Sequence, residues 1–204
     1  MGLLITDELM SYSILGFFNL NEVIYTRLIQ IFYANVVFHG TYITDKVLNV
    51  PVRIYSASIA QANGYECIHN LYRKNWISEA RGVTYVSKVL MNGNATGPST
   101  YNKLDDKAKV FQQMLNKSIL HKAGAKDCIS DMYKFCLFHM MTGTKFNLPN
   151  LILQHWLQVM KDQKEQITYV ALLNKIIWDQ KVYEKFFSLE ENERKEITTR
   201  DKNR

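Results

Sequence analysis

The sequence predicts a mainly α-helical single domain with a small β-hairpin or meander near residues 36–54. Apolar residues recur at helical spacing from about residue 105 to 178, whereas β-branched and aromatic residues concentrate between 36 and 54. With 47% apolar residues in 204 positions, the chain can bury a substantial core. We assign residues 1–187 to this domain, with a subdomain break expected at 92–100, and residues 188–204 to a polar charged tail.

The centre of the predicted domain is a pair of helices between Ser130 and about Met160. The first is apolar around nearly its whole circumference, which is typical of a helix inside a domain. Ser130 is its expected N-cap through the side-chain hydroxyl, and Gly143 is its expected stop. Asn147 is predicted to cap the second helix. The inward stripe of the second helix is predicted to be Leu148, Leu151, Ile152, Trp156, Val159 and Met160.

Other helices are predicted from caps, stops and apolar stripes. Their expected positions are 6–17, 21–32, a brief helix from Ser56 to Gly64, 78–91, 105–120 and a last core helix capped by Thr168. The inward residues of the 105–120 helix are predicted to be Val110, Phe111, Met114, Leu115 and Ile119. Those of the last core helix are predicted to be Leu172, Leu173, Ile176 and Ile177.

The net charge of +6 is concentrated in one basic segment, residues 101–126. Its lysines are Lys103, Lys107, Lys109, Lys117, Lys122 and Lys126, against only Asp105 and Asp106. Such a surplus favours contact with a polyanion such as RNA, although a solvated helix face is the commoner role of lysines at this spacing. We take these six lysines as the candidate nucleic-acid contacts.

Cysteine usage and hydropathy indicate an intracellular protein. Three cysteines without regular spacing are typical of a reducing compartment rather than a disulfide framework. No stretch approaches the ~20 apolar residues of a membrane span, so we expect no membrane partner. The opening residues lack the basic region and cleavage site of a secretory signal.

The sequence contains no convincing catalytic, cofactor or metal motif, and we expect none of these sites. Cys136 and His139 could face one metal, with His155 and Cys128 as further ligands, but zinc sites normally use two close pairs and core roles are commoner. The run from Gly143 to Lys145 is similar to the end of a phosphate-binding loop but lacks the earlier glycine.

The aromatic residues raise the question of base stacking, which requires exposed rings interleaved with basic residues. Only the stretch from Tyr72 to Trp76 has this character. We nevertheless expect most aromatics, including Trp76, Trp156 and Trp178, to lie in the core or at its edge.

Two stretches of sequence are similar to a known plant family. The first is Phe32-Tyr-Ala-Asn35 followed by Val50-Pro-Val-Arg-Ile54; the second is Asn116-Lys-Ser-Ile-Leu120, then Thr142-Gly-Thr-Lys-Phe-Asn-Leu-Pro149 and Leu151-Ile-Leu-Gln-His155. In order and spacing they resemble the plant transposon protein domain, which is related to the first open reading frame product of Athila-type retrotransposons. The resemblance covers roughly residues 25 to 180 and implies no catalytic residues.

The first hypothesis is therefore a non-enzymatic structural or interaction domain encoded by a plant retrotransposon-like element, acting in a Gag-like way through self-association and weak RNA contact. An alternative is a fragment of a mobile-element nuclease or integrase, which would bring two or three carboxylates together around Mg²⁺. A third is a host DNA-binding regulator, which would present basic residues on a helix to a DNA groove.

Overall fold

The computed structural model describes residues 24–65, 76, 83–91, 100–120, 129–161, 169–189 and 191. The helices are α1 (Thr26–Asn35), α2 (Ser56–Asn63), α3 (Val83–Leu90), α4 (Asp106–Ser118), α5 (Asp131–Thr142), α6 (Leu148–Lys161), α7 (Val170–Asp179) and α8 (182–189). The strands are β1 (Val37–Phe38), β2 (Ile43–Val47) and β3 (Val50–Ile54). The predicted class, mainly helical with a small meander, is confirmed. The helix predicted at 6–17, the tail from 192 onward and the loop 92–99 lie outside the described residues.

The three strands form an antiparallel meander in the order β1-β2-β3. Val47 pairs with Val50, and the two residues between them, Leu48 and Asn49, have φ angles of 54° and 64°. Positive φ at both central positions is typical of the type I′ turn, whose twist matches that of the strands it joins. One face of the sheet is buried, and α1 packs against β2. Its core residues are Ile43, Val47, Val52 and Ile54.

The outer edge of β3 is closed by side chains. The Gln180 side chain accepts a hydrogen bond from the Arg53 amide through Oε1 (3.0 Å) and donates to the Arg53 carbonyl through Nε2 (2.8 Å). Pro51 has no amide to offer, and the Tyr55 amide donates to Ser58 Oγ. Because an open edge invites pairing with another strand, this arrangement protects β3 and ties it to the end of α7.

The core helices α5, α6 and α7 bury most of the apolar stripes that the sequence predicts, although Val159 and Met160 of α6 are only partly buried. Leu148, Leu151, Ile152 and Trp156 of α6 are buried, as are Leu172, Leu173, Ile176 and Ile177 of α7. Asn147 Oδ1 accepts a hydrogen bond from the Asn150 amide, which confirms the predicted cap of α6. Gly143 ends α5 with φ 66°, a left-handed conformation that glycine adopts without a Cβ clash. The core extends through α2, which contacts α6 and α7.

Three local predictions were wrong. Val110 is exposed rather than inward, because the buried side of α4 runs through Ala108, Phe111 and Leu115. Ser130 occupies the N-cap position of α5, but its hydroxyl makes no capping hydrogen bond. The last core helix begins after Tyr169, whose φ of 58° excludes it from the helix, whereas Thr168 lies outside the described residues.

The chain on either side of residues 92–99 is joined by a short β-bridge. Met91 pairs with Leu104, and the Asp105 amide donates to the Leu90 carbonyl at 2.9 Å. Leu90 and Leu104 are both buried in the same apolar core. Among the described helices, none combines the length and the apolar composition of a transmembrane segment.

Candidate functional site

The candidate metal ligands Cys136, His139 and His155 are buried core groups in the structure. Cys136 is fully buried, and burial raises the pKa of its thiol, which disfavours the thiolate that a metal or an electrophile requires. His139 Nδ1 is hydrogen-bonded to the Phe135 carbonyl, and His155 Nδ1 to the Tyr169 hydroxyl. Across the described ranges, no group of three His, Cys, Asp or Glu residues could hold a metal ion. Cys128 lies outside these ranges.

His139 is enclosed by aromatic rings at one end of α5. Its ring centroid lies 4.2 Å from that of Phe135, and 5.6 to 5.8 Å from those of Trp76, Phe138 and Phe146. Burial lowers the pKa of His139, because an imidazolium loses its hydration there; the hydrogen bond to the Phe135 carbonyl opposes this shift in part. His139 is therefore a neutral packing group near pH 7.

A chain of buried hydroxyl contacts joins α6 and the residue before α7 to the end of α4. Tyr169 Oη donates to the Ile119 carbonyl at 2.7 Å. Since that contact uses the only hydroxyl proton, His155 Nδ1–H is the donor in its 2.6 Å contact with Tyr169 Oη. Tyr133 Oη donates to the neighbouring Leu120 carbonyl. These bonds satisfy carbonyls at the end of α4, where no further helical turn supplies donors.

The predicted nucleic-acid contacts are only partly within the described residues. Lys109 is ion-paired with Asp106 at 2.9 Å, and Lys107 Nζ lies 5.8 Å from the centroid of the Phe111 ring. Lys103 is half-buried in a 3₁₀ turn at Tyr101–Lys103. Lys122, Lys126 and the side chain of Lys117 lie outside the described residues. The structure therefore places Lys103, Lys107 and Lys109 at the N-terminal end of α4.

Trp76 has the core-edge role that we predicted. It is buried, its indole nitrogen donates to the Asp131 carbonyl at 3.3 Å, and its ring packs edge-on against Phe135. Tyr72 and the residues between it and Trp76 lie outside the described residues. Trp156 is likewise buried.

Trp178 does not follow this prediction and belongs to an exposed group, the aromatic corner. We define the aromatic corner as Tyr25, Trp178, Tyr183 and Phe187. Trp178 stacks on Tyr183 with ring centroids 3.7 Å apart and planes 10° apart, and its solvent-exposed fraction is 44%. Tyr25 lies 6.2 Å from Trp178 and 5.6 Å from Phe187, measured between ring centroids. The corner combines elements from both ends of the described chain.

A hydrogen bond to α7 and buried residues of α8 anchor the aromatic corner to the core. The Tyr25 amide donates to Asn174 Oδ1 at 3.1 Å, which fixes the start of α1 to α7. Val182 and Phe186 of α8 are buried, and Phe186 packs against Tyr25 with ring centroids 6.1 Å apart. Lys181 has φ 59°, and this left-handed residue turns the chain between α7 and α8. The turn allows Tyr183 to stack on Trp178, five residues earlier.

Asp45 is a second feature that the sequence did not reveal. It lies on the buried face of β2 with 6% of its surface exposed, and its Oδ2 has no hydrogen-bond partner. Burial raises the pKa of this carboxyl, and a hydrogen bond with the backbone of Lys46 partly opposes the rise. A single carboxyl among apolar strand residues offers neither a paired acid nor a metal ligand set.

No family model, curated protein or solved structure matches the chain.

Proposed function

We propose that this protein is a non-enzymatic interaction domain of a plant retrotransposon-like element, acting in a Gag-like way through self-association and weak RNA contact. The aromatic corner carries the proposal. Eight large apolar side chains are exposed in the described residues, and two of them, Trp178 and Phe187, belong to this corner. Clustered exposed apolar residues mark interaction surfaces, whereas singly scattered ones need no explanation.

The resemblance to the plant transposon protein domain supplies the biological context of this proposal. The segments that carry it lie at structural positions: Phe32 is buried in α1, Pro149 stands in the first turn of α6, and His155 is part of the buried hydroxyl contacts. Each of these residues serves packing rather than a reaction. Sequence similarity at such positions supports a shared fold rather than a shared active site.

The RNA contact is the weaker part of the proposal and rests on Lys103, Lys107 and Lys109. Because Lys109 is ion-paired and Lys107 lies near the Phe111 ring, we expect few phosphate contacts and low affinity. In the described part of the chain, no observation favours the nuclease or integrase alternative: Asp45 is isolated in the sheet, and Asp106 and Asp131 begin different helices.

Two measurements on the full chain test the proposed function. Analytical ultracentrifugation over a range of protein concentrations should reveal reversible self-association. Titration of a labelled single-stranded RNA should give an affinity that falls as the salt concentration rises. The triple variant K103Q/K107Q/K109Q should reduce the slope of log affinity against log salt concentration, whereas the exposed control K185Q should not. A strictly monomeric protein without salt-dependent RNA affinity contradicts the proposed function.

A further inference from the structure

The outer face of the β-meander carries a row of three stacked rings at one end. Ile43 of β2 is fully buried and pairs with β1 on one side and β3 on the other, so the next residue toward this end of each strand lies on the outer face. These residues are His39, Tyr42 and Tyr55. The His39 ring stacks on Tyr42 with centroids 4.5 Å apart, and Tyr42 stacks on Tyr55 at 5.1 Å.

The two ends of this row leave ring surface for a further stacking partner. Tyr42 has a ring on both sides, whereas His39 and Tyr55 each contact only Tyr42 among the described rings. His39 is exposed, and Tyr55 has 39% of its surface exposed. A 2.8 Å hydrogen bond joins His39 Nε2 to Thr44 Oγ1 and fixes the imidazole in place. Because the rings are already aligned, a planar base extends the stack without reordering them.

Two basic side chains lie beside the row on the same face of the sheet. Arg53 comes two residues before Tyr55 on β3, and Lys46 comes four residues after Tyr42 on β2, so both share the outer face with the rings. Both are exposed, and neither forms an ion pair with another described residue. The acidic residue of the three strands, Asp45, lies on the opposite, buried face. The strands therefore present positive charge alone on their outer face.

Stacked rings beside cations of one sign match the chemistry of single-stranded nucleic acid. Bases of every identity stack on aromatic faces, and phosphates are attracted to Lys and Arg. A duplex keeps its bases stacked inside the helix, where the rings do not reach them. A protein partner is favoured by clustered apolar side chains, but Val37 is the only large aliphatic residue that the strands expose.

We propose that the outer face of the β-meander binds single-stranded RNA, with bases stacked on the row of His39, Tyr42 and Tyr55 and phosphates on Arg53 and Lys46. This inference rests on the RNA contact in the proposed function and adds a surface other than the lysines at the start of α4. Local sequence does not display the row, because its rings meet only through strand pairing.

The stacking part is tested with a short fluorescein-labelled oligo(U) and the full chain, by fluorescence anisotropy. Tyr55→Ala should weaken binding by about fivefold or more, because a stacking contact is lost. Tyr85→Ala on α3 is the matched control, since Tyr85 is 37% exposed, and its affinity should stay within about twofold of wild type. Thermal unfolding of both variants verifies that they are folded.

The phosphate part is tested by the salt dependence of the same titration. Arg53→Gln and Lys46→Gln should each lower the slope of log affinity against log salt concentration by about 0.7, the value for one phosphate contact on a single strand. Arg27→Gln, which changes an exposed arginine of α1, should leave the slope unchanged. An abasic ribose-phosphate oligomer of the same length separates the two parts, because Y55A should not weaken its binding.

Four results would overturn the assignment. If Y55A and R53Q leave oligo(U) binding unchanged while K103Q/K107Q/K109Q weakens it, the inference fails and the proposed function stands. A wild-type chain without salt-dependent binding removes this inference together with the RNA part of the proposed function. Equal losses in Y55A for oligo(U) and the abasic oligomer exclude base stacking. A changed monomer–dimer equilibrium in Y55A, at unchanged oligo(U) affinity, would identify the face as a protein contact.

Discussion

The enclosure around His139 and the aromatic corner are built from the same residue types but meet solvent differently. Around His139, the rings of Trp76, Phe135 and Phe146 pack edge-on or tilted. The imidazole Nδ1 of His139 is hydrogen-bonded to the Phe135 carbonyl. At the corner, Trp178 stacks on Tyr183 and keeps 44% of its surface exposed. The first arrangement stabilises the folded chain, whereas the second leaves ring surface available to a partner. Aromatic content alone therefore says nothing about which role a ring serves.

Between the buried core and the aromatic corner, the largest expected difference is in the loss of unfolding free energy when an indole is removed. Trp156→Ala should cost about 3–5 kcal/mol, because this fully buried ring would leave a large cavity. Trp178→Ala should cost about 1 kcal/mol or less, since nearly half of the ring already faces water. Urea unfolding monitored by circular dichroism measures both. Equal losses would mean that the corner is part of the core.

A second comparison concerns hydroxyl groups. Tyr169→Phe should cost about 1–3 kcal/mol, because the Tyr169 hydroxyl is held between His155 and the Ile119 carbonyl in a buried setting. Tyr183→Phe, the same change at the corner, should alter stability by less than about 0.5 kcal/mol. The same unfolding measurement applies. If Tyr183→Phe were the more destabilising change, the buried hydrogen bonds of Tyr169 would not contribute to stability as proposed.

The third prediction concerns the link between the sheet and the corner. Gln180→Ala removes both hydrogen bonds to the Arg53 backbone and should cost about 1 kcal/mol, with a greater tendency to aggregate because the edge of β3 becomes open. Gln30→Ala, an exposed residue of α1, is the matched control and should be nearly neutral. Light scattering during heating would report the aggregation. No difference between the two variants would show that the edge needs no protection.

Helical periodicity predicted the buried stripes of α6 and α7 because packing follows the same spacing that the sequence displays. It failed at Val110, where residue type suggested burial but the neighbouring Gln112 is the buried residue. The aromatic corner could not be predicted, since the stacking of Tyr183 on Trp178 follows a turn at the left-handed Lys181, which no local pattern indicates. The hydrogen bonds between Gln180 and Arg53 span 127 positions, and no local pattern reports such a contact.

The smallest expected effect is on the pH dependence of stability, to which the buried His139 contributes and an exposed histidine does not. Burial lowers the folded-state pKa of His139 below its ordinary value of 6.5, so the unfolded chain binds a proton that the folded chain resists. Its contribution to stability is therefore full above pH 6.5 and is lost progressively as the pH falls from there toward the lowered pKa. His139→Leu should remove this loss of stability at low pH, whereas substitution of the exposed His39 by Leu should leave it in place. Urea midpoints measured between pH 7.5 and pH 5 test this, and an unchanged slope in H139L would mean that water reaches the His139 imidazole in the folded chain.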